Sequence, residues 1–357
     1  RGRNRRVRAT AEAGATRLPE RSGKKPVRDL GRRLGAGSGA ALAISARLQL
    51  VEQGPSRSRV ALLFDDRLRA LSSILGVLGA GHAYVLLDAG DPEERIKFIL
   101  DDCEPFALVT DIEFFEMASG LVPRGCDIIN IQELPATPRR RQFVDVDPDD
   151  MAYLFYTSGS TGHPKGVCQT QRHLLPFVSC YSRMLDIRDS DRLSLLYSLS
   201  FSAANMDIFG GLLSGASVCA YDMRQHGVPA LANWLDDGKI TILHTVPTVF
   251  RGLASGLESS RILNNVRAID LGGEAVAVRD AELFRDHFRP DCLLVNHLAA
   301  TEASVIAQHA VDPGRVYETD ILPVGICPEQ VSVRIEGPDG HEMTAGDAGR
   351  IVVASPF

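Results

Sequence analysis

The chain has 357 residues, 45% of them hydrophobic, and a formal net charge of −6. That length and apolar content suit one large α/β domain or two to three subdomains, and the acidic balance gives no footing for nucleic-acid binding. Seven cysteines without a Cys-x-x-Cys pair exclude a disulfide framework and a zinc ribbon, and fit reduced cytoplasmic thiols. Buried thiols are expected throughout, Cys168 included.

Residues 1–33 hold twelve Lys and Arg against three acids. A transit peptide, a basic arm or a wrongly joined reading frame would each give that composition. Residues 1–57 are therefore expected to be a basic, disordered segment without function. From Arg59 the pattern becomes regular. Val60–Phe64 reads as a strand, and Leu68, Leu71, Leu75 and Leu78 recur at helical spacing. Ala70–Leu87 carries no formal charge over eighteen residues, but Gly76, Gly79, Gly81 and His82 interrupt it, so helix, turn and buried strand are expected and no membrane insertion. Asp91-Pro92-Glu93-Glu94 opens the next helix, with Asp91 as cap and Pro92 in its first position.

Further apolar runs follow at Phe106–Thr110, Asp127–Ile131, Ala152–Thr157, Arg192–Ser198, Ser217–Tyr221, Ile240–His244, Val266–Leu271 and Cys292–Asn296. Leu174, Val178, Tyr181 and Leu185 line a helix among them. Continuous apolar strands alternating with helices predict largely parallel sheets covered on both faces. The end changes character: Val331–Ile335, a turn at Glu336–Gly340, and Gly349–Ser355 read as the start of an antiparallel β unit. Chain boundaries are expected at 58–320 for the α/β core and 321–357 for the β unit.

The stretch Tyr156–Gly166, YTSGSTGHPKG, is expected to follow a strand and precede a helix. Gly159 and Gly162 permit tight turns, so successive amides and the hydroxyls of Thr157, Ser158, Ser160 and Thr161 can surround an anion, with Lys165 as a point charge. The common phosphate loop needs Ser or Thr after its Lys; Gly166 stands there, which argues against a kinase or GTPase.

LFYTSGSTGHPKGV resembles the signature loop of the adenylate-forming enzymes, a superfamily that includes acyl-CoA synthetases, luciferases and nonribosomal-peptide-synthetase adenylation domains. AYVLLDAGDPEERI, FSAANMDIFGGLLSGASV, IDLGGEAV, NHLAATEAS and PVGICPEQVSVRI are similar to further blocks of that family, in its order, from about Arg59 to the end. The peptide-synthetase-like branch is the nearest in character. The resemblance implies ATP-dependent adenylation of a carboxylic acid to acyl-AMP and diphosphate, with Mg²⁺, then transfer to a phosphopantetheinyl carrier protein or coenzyme A. Thr157–Gly162 and Lys165 would hold the phosphates. Thr301 would meet the α-phosphate, and Glu302 would be catalytic and the metal ligand. Gly272, Gly273, Glu274, Asn296 and Leu298 would adjoin the nucleotide. Phe201 and Ser202 would border the acyl pocket; Asp207 either shapes it or simply packs, His244 and His297, at strand ends facing the crevice, either line it or are hydrogen-bonded structural histidines, and His163 has no role.

Three departures follow. Members that activate amino acids carry Asp where Ser202 stands, and that Asp pairs with the substrate ammonium. An unpaired buried ammonium is costly, so the expected substrate lacks an α-amino group: an aryl, hydroxy, keto or fatty acid. Leu298 replaces a Tyr that stacks on adenine, and Ala300 replaces a Pro. The chain stops at Phe357, ahead of the family's Thr-Gly-Asp segment and the Lys of its C-terminal lid domain. The alternative is an impaired remnant that binds nucleotide or a partner.

Overall fold

The computed structural model describes residues 37–51, 58–135, 144–158, 164–344 and 346–355. The disorder expected over the basic start concerns residues 1–36 and 52–57, which lie outside them, as do Gly159, Ser160, Thr161, Gly162 and His163. The expected boundary near residue 57 is too late for the described part. Gly37–Val51 is a helix, α1, and its Ala41, Ile44 and Leu48 are fully buried. It hid from periodicity because it is apolar on most sides and small-residue rich. It packs where an added Cβ on Gly76 would lie 2.7 Å from Ile44 Cβ, so glycine permits the close approach.

A first sheet is built from β1 (Arg59–Phe64), α2 (Arg67–Gly79), β2 (Ala83–Asp88), α3 (Glu93–Cys103), β3 (Ala107–Thr110), α4 (Phe115–Leu121), β4 (Asp127–Asn130), β5 (Met151–Ser158) and β6 (Pro164–Thr170). Its strand order is β4-β3-β1-β2-β5-β6, parallel except for the edge strand β6. Alternate side chains serve the two faces: Leu62, Tyr84 and Val109 join Ile44 and Ile74, while Leu63, Val85 and Leu108 join Ile96 and Leu100 of α3. The uncharged stretch 70–87 is helix, turn and strand as expected, and among the described residues no helix is long and apolar enough to cross a membrane.

A second sheet follows from α5 (Gln171–Met184), β7 (Arg192–Leu195), α6 (Ala204–Ser214), β8 (Ser217–Ala220), α7 (Met223–His226), α8 (Leu231–Asp237), β9 (Ile242–Thr245), α9 (Pro247–Ser255), β10 (Ala268–Leu271), α10 (Val278–His287), β11 (Leu293–Ala300) and β12 (Ser304–Val311). Its order is β12-β11-β10-β9-β7-β8, with only β12 antiparallel. The expected terminal unit is present as antiparallel β13 (Ser332–Glu336) and β14 (Arg350–Ala354).

Three expectations need correction. The signature stretch does not lead straight into a helix. It joins antiparallel β5 and β6, with Ser158 opposite Pro164 and Thr157 opposite Lys165, and the helix begins only at Gln171. Pro164 is tolerated because it opens an edge strand. The helix after Asp91 starts at Glu93 with Pro92 as its cap residue, and Asp91 instead accepts from Arg95 Nε at 3.0 Å. Cys168 is exposed, since it lies on the edge strand, and only Cys103 and Cys292 are fully buried. Burial pushes both of those thiols up to about 12.

Asp191 fastens the end of the second sheet where β7, β9 and β10 begin. It accepts from the Arg188 amide at 2.8 Å, Thr241 Oγ1 at 2.8 Å and Arg267 Nε at 2.8 Å. Burial works against its charge, but the Arg267 guanidinium and the other donors outweigh it and hold the carboxyl below its ordinary range. Such a depressed carboxyl stabilises the fold above its ordinary pKa, and that contribution is lost as pH falls through the folded value. Asp191→Asn is therefore expected to cost about 1–3 kcal/mol at neutral pH. The cost should shrink in acid, as read from denaturant midpoints at both pH values.

Candidate active site

Open α/β sheets take ligands at the carboxyl ends of their strands. At that end of β7, β9, β10 and β11 lies a cavity of about 190 Å³. Phe201 and Ser202 border it after β7, Gly272 and Gly273 after β10, and His297 and Thr301 on and after β11. All six are candidates named from sequence, and the fold brings them together. Tyr153 of β5, Phe177 of α5 and Tyr197 also line it; the sequence did not single them out, because an aromatic in a buried run reads equally well as core. Tyr197 stacks on Phe201 with centroids 5.8 Å apart.

Contacts from the first sheet hold this wall. Arg67 donates to the carbonyls of Leu195 at 2.8 Å and Tyr197 at 2.9 Å, and the Tyr84 hydroxyl donates to Asn205 Oδ1 at 2.8 Å. The Arg224 guanidinium grips both oxygens of Asp88 at 2.8 Å, and Ser198 donates to the same carboxylate. These bonds fix the segment that presents Phe201 and Ser202.

Ser202 Oγ lies 2.9 Å from Thr301 Oγ1. The turn after β11 is tied to the signature hairpin: buried Gln169 of β6 donates from Nε2 to the Thr301 carbonyl at 3.0 Å and the Glu302 carbonyl at 3.4 Å. Gln169 was missed because nothing in a single sequence pairs a strand residue with a turn 132 positions away. Glu302 itself is exposed, and among the described residues no hydrogen bond or ion pair holds its carboxylate. It also borders a wider groove of about 340 Å³ with Phe177 and Cys180. Lys165 is exposed on β6 and likewise has no partner among the described residues.

Other candidates have structural engagements. Glu274 Oε2 accepts from the Thr248 amide at 3.1 Å and the Thr248 hydroxyl at 2.6 Å, joining the loop after β10 to the first turn of α9. The Asn296 amide donates to the carbonyls of Pro323 at 2.9 Å and Leu322 at 3.3 Å. Leu298 lies opposite Ala307 of β12, where the ladder shifts register before Ala299.

Asp207 and His244, expected in the pocket, do not line the cavity. Both are fully buried in a chain of acids and imidazoles behind it. His297 Nδ1 lies 2.7 Å from Asp270 Oδ1, and the other oxygen of Asp270 lies 3.7 Å from His244 Nε2. His244 Nδ1 lies 3.1 Å from Asp207 Oδ1, to which the Tyr181 hydroxyl also donates at 3.1 Å. Burial raises the Asp207 carboxyl above its ordinary value. Burial works against a charged His244 ring, but the Asp207 carboxylate prevails and raises it. His244, Asp270 and His297 offer ligand atoms within 4.8 Å of one another. Asp270 was overlooked, although an acid inside the apolar run Val266–Leu271 was the available signal.

Gly272 is required by its neighbour. A Cβ there would fall 2.2–2.8 Å from atoms of the His297 ring, which is pinned by Asp270. Gly272→Ala is expected to cost about 1–3 kcal/mol through this overpacking, measurable as a lower thermal midpoint.

The description AMP-binding enzyme matches residues 40–357. The chain belongs to the AMP-binding enzyme family. Among curated AMP-binding relatives, tyrocidine synthase 1 of Brevibacillus parabrevis is 25% identical over 85% of this chain and 27% of its own length. The L-proline--[L-prolyl-carrier protein] ligase of Streptomyces coelicolor is 29% identical over 75% of this chain and 54% of its own. The chain thus spans between about a quarter and about half of the length of these relatives. The nonribosomal peptide synthetase FmoA3 shares the fold with a TM-score of 0.78 at 24% identity, over 89% of this chain and 34% of that one. The expected α/β architecture, that of the large N-terminal part of the adenylate-forming fold, is the one found.

Proposed function

We infer that this AMP-binding domain uses ATP to adenylate a carboxylic acid that lacks an α-amino group. The observation that carries this reading is the cavity wall: among the described residues no Asp or Glu lines it, and Ser202, which by the resemblance stands where amino-acid-activating members carry Asp, turns its hydroxyl to Thr301. An ammonium held there would have no carboxylate partner, which is costly in a desolvated site. The proline ligase acts on an amino acid by its name; Ser202, by the resemblance of its block, would set the present chain apart from members that activate amino acids.

A carboxylate oxygen of the substrate attacks the α-phosphate, forming an O–P bond. The bond to the β-phosphate breaks, and diphosphate leaves with the electron pair. Little bond chemistry falls to the protein, so positioning and charge stabilisation dominate. Thr157, Ser158, Gly159, Ser160, Thr161, Gly162 and Lys165 would hold phosphate oxygens, as the resemblance of this stretch implies. Thr301 would hold the α-phosphate, oriented through Ser202 and Gln169. Gly272, Gly273 and Leu298 would offer backbone and apolar contact to the nucleotide, while Glu274 and Asn296 fix the segments around it. Glu302 suits a hard cation: among the described residues its carboxylate has no partner, it lies in a turn beside Thr301, and Mg²⁺ held there would neutralise charge on the phosphates.

The activated acyl group then passes to a thiol. A carrier-protein phosphopantetheine fits the synthetase-like character of the chain better than coenzyme A does. Seven free cysteines agree with a cytoplasmic setting. The test is ATP–diphosphate exchange by the full-length protein with a panel of amino and non-amino acids. Exchange driven by non-amino acids is expected; preference for an α-amino acid would overturn the use made of Ser202.

A further inference from the structure

His244 on β9, Asp270 on β10 and His297 on β11 stand on three neighbouring parallel strands. The ladder sets Asp270 opposite both His244 and Val295, so His297, two positions on, turns to the same face. All three are buried, and each offers a ligand atom within 4.8 Å of the others. Asp207 takes His244 Nδ1 at 3.1 Å, and a carboxylate accepts, so Nδ1 carries the proton and Nε2 is bare. That nitrogen stands 3.7 Å from Asp270 Oδ2. Both atoms are acceptors sealed from solvent, and neither has a hydrogen-bond partner among the described residues. Two buried lone pairs turned on each other are costly unless something positive lies between them.

We propose that His244, Asp270 and His297 form a buried site for one divalent transition-metal ion, with zinc the best match to two imidazoles and a carboxylate. The site is independent of the adenylation reading. Spacing decides between the possible occupants. A proton on Nε2 would leave donor and acceptor 3.7 Å apart, too far for a hydrogen bond. A water bonded to both atoms would be squeezed to an angle of roughly 80° between them. Zinc bonds are shorter, about 2.0–2.2 Å, and bridge the same gap at roughly 125°, which a four-coordinate ion accepts. Charge agrees: Asp207 and Asp270 both lie at zero exposure, and a divalent ion balances two buried carboxylates. The surroundings agree as well. Asp207 fixes the tautomer of His244, and the Tyr181 hydroxyl holds Asp207 in turn. His297 supplies the third ligand by trading its hydrogen bond to Asp270 Oδ1 for the ion, which releases the Nδ1 proton. Water from the cavity that His297 lines completes the shell.

The test strips the full-length protein with a chelator and returns Zn²⁺ alone, without nucleotide or acid. About one equivalent should stay bound through desalting, with release of about one proton. Cobalt in the same site should give the intense visible bands of four-coordination. His244→Gln and Asp270→Asn should each weaken retention by about 10²-fold or more, and Asp207→Asn, which touches only the far nitrogen of a ligand, by about 10–100-fold. Glu302→Gln should leave zinc retention unchanged, which separates this ion from one that accompanies nucleotide. No zinc held by the unaltered protein would overturn the proposal, as would undiminished retention in folded His244→Gln. Should that variant fail to fold, the cobalt spectrum of the unaltered protein decides: weak six-coordinate bands would put the metal on surface groups and remove the site. Each of these results leaves adenylation standing.

Discussion

Replacing Lys165 with alanine is expected to slow ATP–diphosphate exchange by about 10²–10³-fold, the usual effect of removing one electrostatic contact to a reacting centre. The fold gives Lys165 no other task. It is exposed at the start of the edge strand β6, opposite Thr157, and no described residue pairs with it. Surface positions of that kind change stability by only about 0.5 kcal/mol, so the thermal midpoint should hardly move. The pair of readouts separates a phosphate ligand from a structural cation. Lys165→Arg should restore part of the rate, since charge is kept but a planar fork replaces a compact ammonium. An unchanged rate in Lys165→Ala would remove this residue from the nucleotide site.

Asp207→Ala should instead damage the molecule as a whole, by about 3–5 kcal/mol, because removing one member of a buried charged pair strands the other. His244 and the Tyr181 hydroxyl both depend on Asp207, and all three lie at zero exposure. Denaturant unfolding reads this directly. A loss below about 1 kcal/mol would mean that the chain behind the cavity relaxes freely, and that His297 is not held from behind.

Much of the fold was legible because it depends on local pattern. The apolar runs at Val60–Phe64 and Ala83–Asp88 gave strands, and Leu71, Leu75 and Leu78 marked the buried face of α2. What pairing decides was not legible. β6 holds Gly, Pro and polar residues, and becomes a strand because β5 offers it a ladder from Ser158 to Met151. Ser304–Val311 likewise pairs antiparallel with β11, a partner that periodicity does not reveal. At the site, residues on short turns after strands were readable: Phe201, Ser202, Gly272, Gly273 and Thr301 meet around one cavity. Asp207 and His244 stand behind that wall, where a polar residue in a buried run announces a partner without saying where the solvent boundary falls. Gln169 and Asp270 act through contacts distant in sequence, which composition and spacing cannot supply.

The most direct measurement uses a carboxylic acid labelled with heavy oxygen in its carboxyl group, turned over with ATP by the full-length protein and analysed by mass. Attack of that carboxylate on the α-phosphate predicts an acyl-adenylate, and AMP that retains one heavy oxygen after the acyl group has left. Release of ADP, or of AMP free of label, would contradict adenylate formation at this site.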